Sequence, residues 1–403
     1  MKSILFVINT LGQGGAEMAL ISLLEQFDPK EYEIDLYVMV GQGNLIHRIP
    51  DYVHILNRRF DDKDVLDQVG KRHLMWHLFE ELLHVGSLAK NMPYILSNYN
   101  VMRKKRTVHP EKLIWRTIAD SAPRFEKEYD LAVAYLEGAS TYYVAQYVKA
   151  RKKVAYVHVS YGISGYTREL DKGCYEAFDR IFTVGQDVQD SFTEMYPEHA
   201  SKTMIFYNIV DKNRILKQAE EGEGFEDGFS GTRILTVARL IERKGIDTCI
   251  RAAKILNDRG KHFRWYVLGE GEERSKLEAL IDSLGLQNEF ILYGTVSNPY
   301  PYYRQCDIYV HSSKYEGRSI AIQEAQILGK AMVVTDTPGS SEMVIPEENA
   351  LLVKVDETEI ADAVQRLMED RSLAQRLGEQ AALVDNGSED LPKLLMLVRD
   401  DGA

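Results

Sequence analysis

Two glutamates, Glu316 and Glu324, stand with seven residues between them in the run YEGRSIAIQEA at 315–325. On a continuous helix eight steps give about 12 Å of rise. That separation is too long for one metal ion and too long for the closely spaced carboxylate pair of a glycosidase. It suits the two ends of one long ligand, with one carboxylate on sugar hydroxyls, the other on ribose hydroxyls and a pyrophosphate between. Gly317 permits close approach, Ser319 reads as a helix N-cap, and the N–H groups of Arg318, Ser319 and Ile320 would face the phosphates. Ile320, Ala321, Ile322 and Ala325 make the helix a buried one, so Glu324 in that company needs a partner. The alternative is a pair of glutamates on a solvated helix face.

A second pair sits upstream. Arg239 and Lys244, in ARLIERKG, fall just past a strand and before a helix, where doubly wound sheets bind ligands. An Arg fork and a Lys point charge five residues apart can jointly neutralise a diphosphate; two solvated basic residues in a loop are the other reading. Near the N-terminus the loop Gly12-Gln13-Gly14-Gly15-Ala16-Glu17 lies between the first strand and the first helix. Free amides at a helix start favour an anion, and Gly14 and Gly15 admit close backbone approach. A dinucleotide fingerprint would need a glycine where Glu17 stands, so the loop is either an anion cradle or a tight turn without a ligand.

These residues need a scaffold of alternating strands and helices. In the first half, apolar runs at Ser3–Ile8, Glu33–Val40, Leu131–Tyr135, Val154–Val157, Ile181–Val184 and Met204–Phe206 read as strands, with a helix from about Gly15 to Phe27 after the first. Residues 58–116 read as mostly helical. The polar stretch 211–231, containing EEGEGFEDGFSG, reads as a linker. Alternation resumes with RILTVARL. It continues through a helix at 245–257, a strand at 263–268, a helix at 272–284, strands at 290–293 and 307–311, a helix from about 319 to 329, a strand at 331–335, and helices at 357–369 and 371–384. The expected fold is α/β, with two doubly wound Rossmann-like domains facing across a cleft. The expected divisions are 1–210, 211–231, 232–385 and a short segment 386–403 able to form a crossover helix.

Composition narrows the class. The chain has 403 residues, 45% hydrophobic and 27% charged, ordinary for globular domains and long enough for two cores. A net charge of −12 speaks against a nucleic-acid binder. Cys174, Cys249 and Cys306 form no CxxC pair and read as reduced, buried thiols. The opening MKSILFVINT is a strand and not a signal segment, and no run approaches the roughly 18 apolar residues of a membrane span. Location is therefore expected to be cytoplasmic, or peripheral on a membrane face. Within Arg58–Arg116 there are 12 Lys and Arg against 7 Asp and Glu, with interleaved Trp76, Phe79, Tyr94, Tyr99 and Trp115. Such a basic, aromatic insertion either rests on anionic lipid or is a solvated face over a local core. His73, His77 and His84 share a helical stripe that reads as a metal chelate or, with more weight, as a polar flank. No metal site is expected, and Asp62-Lys63-Asp64, the only DxD, lies far from the other motifs.

The motifs of the second half, in order, are TVARLIERKGID (236–247), VLGEGEERSKLE (267–278), FILYGTVS (290–297), HSSKYEGRSIAIQEAQILGKAMVVTD (311–336) and NALLV (349–353). Together they resemble the retaining glycosyltransferases of the GT-B fold, glycosyltransferase family 4, of the kind that builds bacterial surface polysaccharide. INTLGQGGAE (8–17), VAYVHVSY (154–161) and FYNIVD (206–211) agree more loosely. The resemblance covers most of the chain and is weak in 45–128 and after about 385. It implies Arg239 and Lys244 on the donor diphosphate, Glu316 on the donor sugar and Glu324 on the ribose. It further implies Gly14 and Gly15 near the diphosphate or sugar, His158 at the sugar, and backbone around Val296 at the nucleobase. Arg318 departs from the family, which mostly carries a smaller or apolar residue there; Glu347, Glu348 and Ala350 replace its usual glycines. The implied activity is metal-independent transfer of a hexosyl-type sugar from a nucleotide-diphosphate sugar, UDP-linked by preference, to a glycan or lipid-linked acceptor. The rival readings are an inactive sugar-nucleotide-binding protein, an epimerase or phosphorylase-like enzyme, and a nicotinamide oxidoreductase.

Overall fold

The computed structural model describes residues 1–12, 14–63, 70, 86–105, 109–384 and 390–399. The chain divides into two compact units, Met1–Ile209 with Gly387–Ala403, and Val210–Asn386.

The first unit is built on a seven-stranded sheet. Its strands are β1 (Lys2–Ile8), β2 (Tyr32–Val38), β3 (Val53–Ile55), β4 (Glu128–Ala134), β5 (Lys149–Val157), β6 (Arg180–Thr183) and β7 (Thr203–Ile205). They lie in the order β3-β2-β1-β4-β5-β6-β7, every pairing parallel. β1 is an interior strand, paired on both sides, and Ile4, Leu5, Phe6, Val7 and Ile8 are all fully buried. A strand covered on both faces needs this unbroken apolar run and shows no alternation. β5 begins five residues before its apolar core, because its first half is a backbone ladder to β4 whose side chains reach water. β3 was not expected: three residues at a sheet edge leave too short a pattern to read. The helix Leu391–Arg399 belongs to this unit, with Leu394 and Val398 buried and Lys393 Nζ donating to the Ile205 carbonyl at 2.9 Å.

The second unit holds β8 (Thr232–Val237), β9 (Phe263–Leu268), β10 (Phe290–Gly294), β11 (Ile308–His311), β12 (Ala331–Thr335) and β13 (Leu351–Val353). Their order is β10-β9-β8-β11-β12-β13, again parallel throughout. Residues 211–231 are not a bare linker. Lys212–Ala219 is a helix capped by Asp211, with Ile215 and Ala219 in the core of this unit. Phe225 packs 4.3 Å from the Tyr266 ring. Asp227 accepts from Arg264 at 2.8 Å and Arg233 at 3.1 Å, and from the Tyr266 hydroxyl. The segment read as a linker because only a few of its residues turn inward.

In each sheet the strand order reverses once, between β1 and β4 and between β8 and β11. Ligands of doubly wound sheets bind beyond the strand carboxyl ends at such a reversal.

Candidate active site

The reversal in the second unit brings together the loops that follow β8 and β11. Two observations show how tightly. Gly245 has φ +66, and a Cβ there would stand 2.1 Å from the Ser312 carbonyl oxygen, so only glycine fits. Ser312 Oγ donates to the Lys244 carbonyl at 2.9 Å, and the Lys314 amide donates to the Arg243 carbonyl at 2.8 Å. This clamp delivers Lys244 to Glu316. The ammonium contacts Glu316 Oε2 directly.

Glu316 Oε2 also accepts from Ser313 Oγ at 2.9 Å, and His311 Nε2 lies 3.4 Å away. Arg243 Nη1 is 4.0 Å from the other oxygen, Oε1. Burial alone would raise the Glu316 pKa, yet the Lys244 charge and His311 outweigh it and hold the carboxyl well below the usual range. Lys244 does not mirror its partner: burial, with the charges of Arg243 and Arg239, draws its pKa down despite the pull of Glu316. The direct ammonium–carboxylate contact makes the charged pair the resting state.

Glu324 follows on the helix Ile320–Ile327 and is 9% exposed. Its partners are tyrosine hydroxyls, Tyr300 on Oε1 at 3.0 Å and Tyr303 on Oε2 at 3.2 Å. Each carboxylate oxygen has capacity for a second donor. Ser319 occupies the N-cap position, but its hydroxyl makes no cap bond and its amide donates to Met343 Sδ at 3.2 Å. The expectation that all three amides Arg318 to Ile320 face an anion therefore fails at Ser319. The sulfur reaches it because the chain after β12 folds over Gly317: a Cβ on Gly339 would stand 1.9 Å from the Gly317 carbonyl oxygen. Arg239 and Arg318 are partly buried, and Val296 packs against the core that holds Tyr300 and Tyr303.

Gly14, Gly15 and His158 belong to the first unit. Gly14 precedes the helix Gly15–Leu24, which has no side-chain cap. The Glu17 carboxylate folds back over it, so that a Cβ on Gly14 would stand 2.2 Å from Glu17 Oε2. His158 follows β5. Its amide donates to Glu137 Oε2 at 3.0 Å, and its ring lies 5.1 Å from that of Tyr135. Burial pulls its pKa down to about 4, so the imidazole is neutral at pH 7. A hydrogen bond to the Tyr135 backbone engages the ring, while Nε2 is buried with no hydrogen-bond partner.

In the first unit two residues were not anticipated. Asn9, just past β1, donates to the Glu137 carbonyl at 2.9 Å and accepts from the Ser140 amide at 2.9 Å, stitching β1 to β4 across the reversal. Glu137 itself is 7% exposed and its pKa is raised by burial, an effect the His158 amide only partly offsets. A position just beyond a predicted strand was the available signal for both. His73, His77, His84 and Asp64 lie outside the described residues. Among the described residues no group of three or more His, Cys, Asp and Glu could hold a metal ion.

Residues 230–384 match the family model described as glycosyl transferases group 1. The chain is 30% identical over 210 residues to the N-acetylgalactosamine-N,N'-diacetylbacillosaminyl-diphospho-undecaprenol 4-alpha-N-acetylgalactosaminyltransferase of Campylobacter jejuni, covering 51% of this chain and 55% of that one. It is 31% identical over 152 residues to the alpha-D-kanosaminyltransferase of Streptomyces kanamyceticus, covering 37% and 39%. The chain thus spans about half the length of the first of these relatives and less of the second. Among solved structures, Anabaena Alr3699/HepE in complex with UDP matches with a TM-score of 0.66 at 18% identity over 99% of both chains. The OtsA apo structure matches with a TM-score of 0.68 at 12% identity over 100% of both. At these identities the structural likeness speaks for the fold.

Proposed function

We propose that this chain, which belongs to the group 1 glycosyltransferases and has the GT-B architecture of two parallel Rossmann-like sheets, moves a sugar from a nucleotide-diphosphate sugar to a glycan or lipid-linked acceptor. The observation that carries the reading is the Lys244–Glu316 pair at the reversal between β8 and β11, with Glu324 one helix further on. A sugar end, a diphosphate and a ribose end would each find a partner there. Arg239 and Lys244 would take the diphosphate, Glu316 the sugar hydroxyls, and Glu324 the ribose hydroxyls beside Tyr300 and Tyr303. Val296 backbone would meet the base. UDP is the favoured nucleotide, on the strength of the UDP complex of the Anabaena neighbour.

Transfer develops negative charge on the leaving diphosphate and positive charge on the sugar. Arg239, Lys244 and the helix start at Ile320 would stabilise the first. The anionic Glu316 would stabilise the second while orienting the ring. His158, neutral and with Nε2 unpartnered, would accept from a sugar hydroxyl. Gly14 and Gly15 would approach the donor once Glu17 turns aside. The chemistry pictured is same-face attack, assisted by the leaving phosphate, with retention at the anomeric carbon.

The acceptor we favour is a polyprenyl-diphosphate-linked glycan, the substrate named for the Campylobacter relative. No helix among the described residues is long and apolar enough to cross a membrane. The helix Ser87–Lys105 nevertheless exposes Met92, Leu96 and Tyr99 at helical spacing, with exposed Arg103 and Lys104 near its end. That face supports a peripheral position on anionic lipid at the cytoplasmic side.

The test is transfer of labelled sugar from a panel of UDP-sugars to a synthetic polyprenyl-diphosphate glycan, with the anomeric configuration read by NMR. Retained product is expected. Free sugar or an epimerised nucleotide as sole product would move the protein to the rival enzyme classes, and no turnover with tight nucleotide binding would make it a binding protein.

A further inference from the structure

His311 has no part in the reading above, yet it sits against the glutamate on which that reading depends. It is the last residue of β11 and is 2% exposed. Its Nε2 points at Glu316 Oε2 from 3.4 Å, and its Nδ1 is 3.5 Å from the Tyr309 hydroxyl. Tyr309 stacks on Tyr303 at 5.2 Å, and Tyr303 donates to Glu324. A buried polar chain therefore starts at Glu316 and ends at Glu324.

Three groups converge on one oxygen of Glu316: the Lys244 ammonium, the Ser313 hydroxyl and, at 3.4 Å, the His311 imidazole, whose Nε2 makes no hydrogen bond in this state. Without a ligand, the Lys244 ammonium is committed to that carboxylate. The same ammonium is the one assigned to the diphosphate, so a donor that engages Lys244 draws it off Glu316. A buried carboxylate that loses its cation is strongly destabilised. Ser313 can offer a hydrogen bond but no charge, and Arg243 is turned to the other oxygen. The imidazole is the group in place to restore the charge.

We propose that His311 is a positioning residue that takes up a proton from solvent as Lys244 turns to the donor diphosphate, and so keeps Glu316 anionic and aimed at the sugar. The inference rests on the glycosyltransferase reading. The charged or titratable groups facing His311 among the described residues are Glu316, Lys244 with Arg239 and Arg243 behind it, and Tyr309. Burial holds the imidazole below its usual pKa and the Lys244 charge adds to this, while Glu316 opposes both. Removing Lys244 and adding a diphosphate anion both act to raise it, which sets the direction of proton flow as uptake on binding.

The experiment is calorimetric titration of UDP-glucose at pH 7 in phosphate and in Tris, whose ionisation enthalpies differ. The diphosphate of UDP-glucose does not titrate near neutrality, so a buffer-dependent enthalpy reports protein groups. Wild type should show net proton uptake. His311→Gln, which offers an N–H but cannot be protonated, should show none and should bind UDP-glucose roughly 10-fold more weakly, because the proton that offsets the loss of Lys244 from Glu316 can no longer be taken up. Its kcat should fall by roughly 10-fold, and that of His311→Leu, which removes the polar side chain beside Glu316 as well, by roughly 100-fold, since small misplacements of a catalytic group cost rate on this scale. The proposal is overturned if His311→Gln retains the buffer dependence, or if both variants keep the wild-type kcat. Binding without proton uptake in wild type would overturn this inference alone. No binding of any UDP-sugar would overturn the glycosyltransferase reading and this inference with it.

Discussion

The two sheets reverse their strand order in the same way, and at each reversal a buried glutamate sits beyond the strand ends. Glu316 and Glu137 are nevertheless opposites. Glu316 meets an ammonium, a hydroxyl and an imidazole on one oxygen, and is held ionised. Glu137 meets the His158 amide, and burial pushes its pKa up; Lys112 adds only a weak opposing charge. One architecture thus produces a charged group suited to a polar ligand, and a carboxyl that fixes the main chain of its neighbour. Position in a doubly wound fold marks where a ligand can bind, while the local cation count decides what the carboxyl there can do.

The largest effect should come from Glu316→Gln. It leaves Lys244 without the carboxylate it contacts, so transfer should fall by at least roughly 100-fold, the scale of losing one preorganised electrostatic contact. Urea unfolding at pH 7 should show a loss of about 3 kcal/mol, the cost of breaking a buried pair from one side. Because the folded pKa of Glu316 is depressed, this stability is present above about pH 4.5, the unfolded value, and is lost as pH falls through the folded one. The gap between wild type and variant should therefore close in acid. A gap that is constant with pH would mean that the pair contributes no charge.

Glu137→Gln should be far milder, because the amide oxygen can still accept the His158 N–H. Transfer should stay within about threefold, since Glu137 is assigned no contact with the reacting atoms. Here the sign reverses. A raised folded pKa means that wild-type stability falls as pH rises from about 4.5 towards the folded value, and the variant should lack that slope. If Glu137→Gln were as damaging to transfer as Glu316→Gln, the contrast between the two reversals would be wrong.

A smaller effect is expected at Gly14. Its φ of −106 suits any residue, and an added Cβ meets only the far end of the flexible Glu17 side chain. Gly14→Ala should change stability by no more than about 0.5 kcal/mol, as surface substitutions do. Its mark should be weaker donor binding with an unchanged melting temperature. Weakened folding with unchanged binding would make the loop a turn and nothing more.

Much of this was legible in the sequence. Buried parallel strands are written as unbroken apolar runs, and Glu316, Glu324, Arg239 and Lys244 stand at spacings that suit a long polar ligand. Other features were hidden for definite reasons. β3 and β13 are three-residue edges. The helix Lys212–Ala219 buries too little to betray itself. Asn9 and Glu137 act on backbone groups, which no motif records, and Tyr300 and Tyr303 reach Glu324 only through the fold. The amide of Ser319 goes to Met343, a residue 24 positions away, which spacing within the helix could not show.

The central claim is that the second unit grips both ends of a nucleotide-diphosphate sugar, and its most direct test is calorimetric titration of UDP into wild type and Glu324→Ala. Wild type should bind and the variant should bind at least tenfold more weakly, a difference of about 1.4 kcal/mol, with the two melting temperatures close in the absence of nucleotide. Equal affinity in the two proteins, or no binding by wild type, would contradict it.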